Sequence, residues 1–271
     1  MSIKKEEDKF VSADILEGMT SISALFNADK QHNNRTVQKI WIDEAKRKSK
    51  AAQIGFLVAK SHEHGFPIEF VSSEQINSCA IGNTHGGILA FCSPRNLSKL
   101  TPNCIEPNGF YVYLEGIEDP YNFGYALRSL YAAGVSGIIL PPRNWMQASG
   151  VVARASAGAS ELLPMYLSSS ADEVLPMFQS LGYMSLCAGI RNSVSIFEEQ
   201  FPLPVLLVIG GEKRGISRTV LDQADRIVRI DYGRSFNGSL SAASAATVMG
   251  FEIFRQNRDL LSHKEVASDK L

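Results

Sequence analysis

Short segments rich in apolar and β-branched residues alternate with longer amphipathic segments along the second half of the chain. This alternation is typical of α/β proteins, in which the strands of a parallel sheet alternate with the helices that cover it. We predict strands at residues 110–114, 137–140, 184–188, 205–209 and 226–230. The segment 205–209 reads V-L-L-V-I, so it should be a central strand that is buried on both faces.

The amphipathic segments predict the helices of this half, at residues 121–133, 144–156, 171–181, 217–224 and 239–256. The first helix has the clearest boundaries. Asp119 can cap its N-terminus, Pro120 suits its first turn, and Gly134 can end it. Its helical periodicity predicts a buried stripe made of Phe123, Ala126, Leu127, Leu130 and Tyr131.

The first half of the chain shows a weaker alternation of the same kind. Helical segments are predicted at residues 17–27, 49–62 and 73–77, and strands at 37–42, 68–71 and 88–91. Residues 93–108 are rich in Pro, Ser and Asn and are typical of a linker. The chain should therefore comprise a small α/β domain (1–92), a linker (93–108) and a larger domain with a parallel sheet (109–271).

The composition is that of an ordinary globular protein. Of 271 residues, 45% are hydrophobic and 20% are charged. The four cysteines form no CxxC pair, which fits a reducing compartment and predicts neither a disulfide framework nor a zinc site. The charged start does not resemble a signal peptide, and no apolar run approaches the roughly 20 residues of a membrane span. We therefore expect a cytoplasmic protein without a membrane partner.

Charge gives little indication of a nucleic-acid partner, because the formal net charge is only −1. Basic residues are dense in one run, K-R-K-S-K, which contains Lys46, Arg47 and Lys48. Two interpretations of this run stay open. It is either a solvated helix face or a patch that contacts phosphate groups.

The segment D-P-Y-N-F-G-Y-A-L-R, which ends at Arg128, opens the helix that follows the first strand of the larger domain. Gly124 and Arg128 are four residues apart, so they lie on one helical face, apart from the apolar stripe. Arg128 is therefore available for a ligand near the carboxyl end of the strand, where α/β proteins place their sites. A lone arginine on a solvated face is the alternative interpretation.

A glycine-rich loop follows the central strand and reads G-G-E-K-R-G-I-S from Gly210. Its spacing resembles a P-loop, but Ile216 stands where the P-loop lysine would be, which excludes a nucleoside triphosphatase. What remains is a loop of exposed backbone groups with Glu212, or simply a tight turn.

The last predicted helix opens with the small residues S-L-S-A-A-S-A-A, which permit close backbone approach in a core, a dimer or a ligand site. His62 and His64 could bind a metal only with a third ligand, and His85 is the one candidate near them in the sequence, so no metal site is predicted. Neither G-x-S-x-G nor G-x-G-x-x-G is present in a suitable context, which argues against a serine hydrolase and a dinucleotide enzyme.

Together these segments resemble the SpoU/TrmH family of RNA 2′-O-ribose methyltransferases, within the SPOUT superfamily. The matching residues of the first two motifs are Asn122, Gly124, Arg128, Gly210, Glu212 and Gly215. The third motif usually reads Ser-Leu-Asn, and here it reads Ser239-Leu240-Ser241. The N-terminal part resembles the small α/β RNA-binding domain of the family, with N-T-H-G-G-I at residues 83–88.

The resemblance implies S-adenosylmethionine as the cofactor, a C-terminal trefoil knot, and a homodimer that packs through the knotted domain. In such knots backbone groups of several loops hold the cofactor, and glycines allow its close approach. The positions implied to bind the cofactor are Leu140, Gly189, Gly210, Gly211, Gly215, Ile230 and Leu240.

The resemblance also implies the catalytic roles. Arg128 would stabilise negative charge at the target ribose and phosphate, Glu212 would orient Arg128 or the loop, and Asn122 and Ser239 would line the site. The candidate RNA contacts are Arg128, Lys46, Arg47, Lys48 and His85. Ribosomal RNA is favoured over transfer RNA. A base-directed methyltransferase and a non-catalytic RNA-binding protein stay open as alternatives, and a nucleotide- or phosphate-binding metabolic enzyme of doubly wound fold ranks last.

Overall fold

A computed structural model describes residues 15–142, 148–211 and 215–261. The described chain forms two compact units. The first comprises residues up to Ser98 together with Glu118–Arg128 and Pro142–Met165. The second comprises Lys99–Ile117, Ser129–Pro141 and the residues from Tyr166 onwards. The predicted domain boundaries remain a prediction.

The secondary structure is numbered here in chain order. The strands are β1 (Ile15–Glu17), β2 (Val37–Asp43), β3 (Ile68–Val71), β4 (Ile88–Cys92), β5 (Ser98–Lys99), β6 (Phe110–Leu114), β7 (Gly137–Leu140), β8 (Met165–Leu167), β9 (Met184–Ala188), β10 (Val194–Ser195), β11 (Val205–Ile209) and β12 (Arg226–Arg229). The helices are α1 (Gly18–Asn27), α2 (Ala51–His64), α3 (Ser73–Cys79), α4 (Pro120–Ala132), α5 (Ser149–Ala155), α6 (Ala159–Leu162), α7 (Ala171–Ser180), α8 (Arg218–Gln223), α9 (Ala242–Gln256) and α10 (Arg258–Leu261).

The first unit is built on a four-stranded sheet in the order β1-β4-β2-β3. The pair β2–β3 is parallel, and β4 runs antiparallel to both of its neighbours. Apolar side chains of α1, α2, β2 and β4 form its core, to which Ala153 of α5 also contributes. The helix ends follow ordinary sequence signals: Gly65 ends α2 at φ 75°, and Ser72 starts α3 with a capping box.

A buried charge network ties separate segments of the first unit together. Arg35 Nε lies 3.3 Å from Glu161 Oε2, and both side chains are only 3% exposed. Asn33 donates a hydrogen bond of 2.8 Å to the same carboxylate. Arg95 donates to three backbone carbonyls, those of His32, Ser160 and Leu163. Burial lowers the pKa of Arg95 to about 10, against the opposing effect of Glu161.

Glu161→Gln should destabilise the protein by about 2 kcal/mol, because it leaves two buried guanidinium groups without their carboxylate. The amide keeps the volume of the side chain, so the loss reports charge and not a cavity. Chemical denaturation followed by circular dichroism measures this change. Glu63→Gln is the control, since Glu63 is 55% exposed in its ion pair with Lys60 and its loss should change nothing measurable. Equal stability of both variants would contradict the role of the network.

The second unit contains most of an eight-stranded sheet in the order β10-β12-β9-β11-β6-β7-β8-β5. Every strand pair from β10 to β7 is parallel. All five residues of β11 are buried between β6 and β9, which confirms the prediction of a central strand covered on both faces. The predicted α/β class with a parallel sheet is therefore confirmed.

Helix α4 follows its sequence signals closely. Asp119 accepts a hydrogen bond of 2.8 Å from the backbone N–H of Asn122, and Gly134 follows the helix at φ 77°. Four residues of the predicted stripe are buried, but Tyr131 is 46% exposed, so that part of the prediction was wrong. The stripe is narrower than the periodicity suggested, because Tyr131 lies at its edge.

Helix α9 begins later than predicted, and the predicted start of another helix lies outside the described residues. The last long helix was expected from residue 239, but α9 starts at Ala242, because the side chain of Ser241 caps it by accepting from the N–H of Ser244. Helix α5 starts at Ser149, and residues 144–147 of the predicted helix lie outside the described residues. The short strands β1, β5, β8 and β10 were not predicted.

Candidate active site

The parallel strands of the second unit bring most of the predicted cofactor positions to one edge of the sheet. Strands β12, β9, β11, β6 and β7 are neighbours in this order, so their carboxyl ends lie at the same edge. Leu140 is the last residue of β7, while Gly189, Gly210 and Ile230 directly follow β9, β11 and β12. The chain order changes direction between β6 and β11, and such a switch point is where open α/β sheets bind ligands.

Backbones approach closely at this switch point. A Cβ added to Gly211 would overlap the carbonyl of Gly116 and lie 2.9 Å from its Cα. A Cβ added to Gly210 would lie 2.7 Å from the backbone nitrogen of Ile216. The N–H of Gly215 donates to the carbonyl of Gly211 at 2.9 Å, and Gly215 has a φ of 61°. Glycine is thus required at three positions of the loop. Glu212 lies outside the described residues.

The segment before α9 supplies the remaining predicted positions. Ser239 is exposed, and Leu240 is 36% exposed and donates its N–H to the hydroxyl of Tyr232 at 3.2 Å. Ser241 occupies the N-cap of α9. Serine and asparagine are both preferred N-cap residues, so the capping role accounts for Ser241 where the family usually has Asn.

The first motif has two structural residues and one exposed cation. Gly124 is buried, and an added Cβ would lie 2.5 Å from the Cβ of Ala155 and 3.0 Å from the carbonyl oxygen of Val152. Gly124 is therefore required for the close packing of α4 on α5. Asn122 is half-buried in the first turn, where its N–H is capped. Arg128 is exposed and makes no hydrogen bond or ion pair with the residues that the structure describes.

Two of the predicted RNA contacts of the first unit lie at a glycine turn. His85 Nδ1 accepts a hydrogen bond of 3.0 Å from the N–H of Gly87, and a Cβ added to Gly87 would lie 3.0 Å from Cγ of Lys46. Lys46 and His85 thus come together at this turn. Arg47 instead pairs with Glu44 and lies over the ring of Phe70, at 4.5 Å.

Arg154 of α5 was not singled out from the sequence. Its guanidinium donates to Glu17 at 3.1 Å and to the hydroxyl of Tyr121 at 3.1 Å. Glu17 also accepts from the backbone N–H of Ile81. A Cβ added to Gly82 would overlap the guanidinium, so a side chain at this position would displace Arg154 from its partners. The small residues around Arg154 are a weak signal, and its partners are distant in the chain.

The buried thiol of Cys187 in the second unit is not an activated nucleophile. Burial, assisted by the charge of Glu115, raises the pKa of the Cys187 thiol on β9 to about 12, so the thiol stays protonated and unreactive. Within the described residues, no group of three or more His, Cys, Asp and Glu side chains could hold a metal ion. Every helix in the described residues is too short or too polar to cross a membrane.

The sequence model of the SpoU rRNA Methylase family matches residues 109–251, and that of RNA 2′-O ribose methyltransferase substrate binding matches residues 15–98. The fold and the loops described above are thus those of an RNA methyltransferase with a substrate-binding region. The chain belongs to the SpoU rRNA Methylase family. The expected family and the expected class of enzyme, with S-adenosylmethionine as its cofactor, are confirmed.

Individual relatives agree with this assignment. A Staphylococcus haemolyticus protein assigned to the TrmH family of tRNA/rRNA methyltransferases is 29% identical over 233 residues, which cover 84% of this chain and 92% of the relative. The AdoMet-bound rRNA methyltransferase of Sinorhizobium meliloti has a similar fold, with a TM-score of 0.75, 22% identity, and coverage of 94% of this chain and 95% of that one. The SpoU methyltransferase AviRb of Streptomyces viridochromogenes, in complex with AdoMet, has a similar fold too, with a TM-score of 0.70 and 20% identity. The match covers 89% of this chain and 89% of that one.

Proposed function

We propose that this protein methylates the 2′-hydroxyl of a ribose in ribosomal RNA. The observation that carries the proposal is the glycine loop at the switch point of a SpoU-family sheet. There the backbone atoms of Gly116, Gly215 and Ile216 leave no room for a side chain at Gly210 or Gly211. Such a cradle fits a cofactor that is held by main-chain groups. Leu140, Gly189, Gly215, Ile230 and Leu240 would complete it.

S-adenosylmethionine, when bound, supplies a methyl group on a positively charged sulfur. Transfer of this methyl group would require the ribose 2′-oxygen to release its proton to solvent, so residues of the chain must position the ribose and stabilise the negative charge that develops. We propose that Arg128 holds the adjacent phosphate and stabilises negative charge that develops on the 2′-oxygen. Its exposure and its lack of any partner among the described residues support this role. Asn122, Ser239 and Glu212 are proposed to orient the substrate and Arg128.

Residues 1–92 are proposed to bind the RNA, with Lys46, Arg47, Lys48 and His85 as contacts, and residues 109–271 to catalyse the transfer. The family name and the Sinorhizobium relative favour ribosomal RNA. Transfer RNA is the second candidate, because the staphylococcal relatives are assigned to both substrates.

A trefoil knot and a homodimer are also proposed for the second unit. The insertion of β11 between the earlier strands β6 and β9 supports the knot, because the chain returns to the middle of a sheet already formed. Exposed apolar side chains of the second unit support the dimer, since a second copy could cover their apolar surface. They are Phe236, Leu240, Phe251 and Leu260.

The test is methyl transfer from tritiated S-adenosylmethionine to ribosomal and transfer RNA, each purified from cells that lack this gene. The proposal expects label in ribosomal RNA. The label should be recovered in dinucleotides that resist alkaline hydrolysis, because alkaline cleavage requires an unmodified 2′-hydroxyl. Label in methylated bases, or in transfer RNA alone, would contradict the proposed substrate. Absence of label from both RNA pools would contradict the activity.

A further inference from the structure

A cavity of about 430 Å³ opens within the first unit. The first turn of α1, the start of α2, the turn before β4 and the end of α5 form its walls. Its volume lies in the range of about 300–1,000 Å³ that is typical of ligand pockets. None of the residues proposed for the methyl-transfer step lines it.

Positive charge in this cavity exceeds negative charge. Arg154 and Glu17 neutralise each other at 3.1 Å. Lys50 makes no ion pair with any residue in the described part of the chain, and a Cβ added to Gly86 would lie 3.6 Å from its Nζ. The half-buried Lys50, which has no counter-ion among the described residues, therefore lies at the cavity wall, where its ammonium group can pair with an anionic ligand.

Neutral hydrogen-bonding groups surround this ammonium. Because His85 Nδ1 accepts from the N–H of Gly87 at 3.0 Å, the neutral ring carries its proton on Nε2 and can donate from there. Gln53 and Thr84 line the same cavity and can each donate and accept. The first turn of α1 lines it too, and no side chain caps that turn. The lining thus combines charge for a phosphate with groups that suit a base or a ribose.

One wall is held in an unfavourable backbone conformation. Ala157 has a φ of 51°, in the left-handed region that residues with a Cβ rarely adopt. The turn is fixed by hydrogen bonds from the N–H of Ala157 to Arg154 at 3.0 Å and from the N–H of Gly158 to Ala153 at 2.8 Å. These two hydrogen bonds are those of a helix C-cap, so the conformation of Ala157 ends α5 and places its small side chain at the cavity wall.

We propose that this cavity receives one unstacked nucleotide of the RNA substrate, with Lys50 at its phosphate. The inference rests on the proposed function, because all lining residues except Arg154 and Ala157 belong to the region matched as substrate-binding. Proteins that recognise RNA commonly take splayed-out nucleotides from single-stranded loops. The cavity would therefore select a loop or bulge, and not a continuous duplex.

Three variants of the full chain test this proposal by filter binding to ribosomal RNA from cells that lack the gene. Lys50→Ala should weaken binding 5- to 10-fold and reduce the magnitude of the salt slope by about 1. Gln53→Trp fills the cavity without changing any charge and should weaken binding about 10-fold. Lys60→Ala is the matched control. It removes the same charge from the far part of α2, outside the cavity, whereas Lys50 is the N-cap residue of that helix. The affinity of Lys60→Ala should stay within twofold of wild type.

Circular dichroism and S-adenosylmethionine calorimetry establish that each variant is folded. If Gln53→Trp binds like wild type, or if Lys50→Ala and Lys60→Ala weaken binding equally, the RNA does not enter the cavity and the proposal is overturned. If the variants lose RNA affinity as expected but the wild-type protein transfers no methyl group, the proposed activity is refuted and the cavity is still supported. Protection of Lys50, but not Lys60, from acetylation in the presence of this RNA is the confirming footprint.

Discussion

Replacing Arg128 with alanine should lower the rate of methyl transfer by about 10³-fold while S-adenosylmethionine still binds normally. A preorganised donor that meets developing negative charge typically contributes 10²- to 10³-fold, and a guanidinium that also holds the phosphate adds positioning. Arg128 makes no interaction with the described residues that would tie it to the stability of the fold. Its loss should therefore appear in kcat and not in the melting temperature.

Single-turnover methyl transfer and calorimetry with the cofactor measure the two quantities separately. Arg128→Lys keeps the charge but loses the bidentate fork, so its rate should fall between those of wild type and Arg128→Ala. Arg218→Ala removes an arginine whose side chain is 91% exposed beside Asp222 and serves as the control, with an unchanged rate. If Arg128→Ala retained more than a tenth of the wild-type rate, its proposed role would be wrong.

The strands of the second unit could be predicted from the sequence because burial on both faces leaves continuous apolar runs. The short strands could not. β5 and β10 have two residues each, and their backbone pairing depends on neighbours that are distant in sequence. The cap of α9 shows a subtler limit. The run S-L-S-A-A-S-A-A suits a helix at every position, and only the hydrogen bond from Ser244 to Ser241 shows where it begins.

Some residues of the candidate site could likewise be predicted from the sequence, and others could not. The glycines after β11 could be placed at the carboxyl edge of the sheet from their position behind a buried strand, because parallel strands share that edge. Arg154 could not be predicted, since its partners Glu17 and Tyr121 are 137 and 33 residues away. The sequence marked Gly124 as part of a motif, but the structure shows that glycine is needed there for packing, because α5 occupies the space that a side chain would take.

Gly211→Ala should reduce the affinity for S-adenosylmethionine by about 10²-fold. The added methyl group would overlap the carbonyl of Gly116, so the loops after β6 and β11 must separate. A displacement of about 1 Å in a preorganised site can cost about 10²-fold. Both partners are backbone, so no side-chain rotation can relieve the overlap.

Calorimetry with the cofactor measures this loss, and Gly55→Ala is the control because it adds the same methyl group where no atom lies within 4 Å. Gly55 lies within α2, so alanine there should bind the cofactor normally and raise the melting temperature slightly. If folded Gly211→Ala protein bound the cofactor with wild-type affinity, cofactor binding would not depend on the close approach of the Gly116 and Gly211 backbones. The main-chain cradle, and with it the proposed position of the methyl donor, would then be wrong.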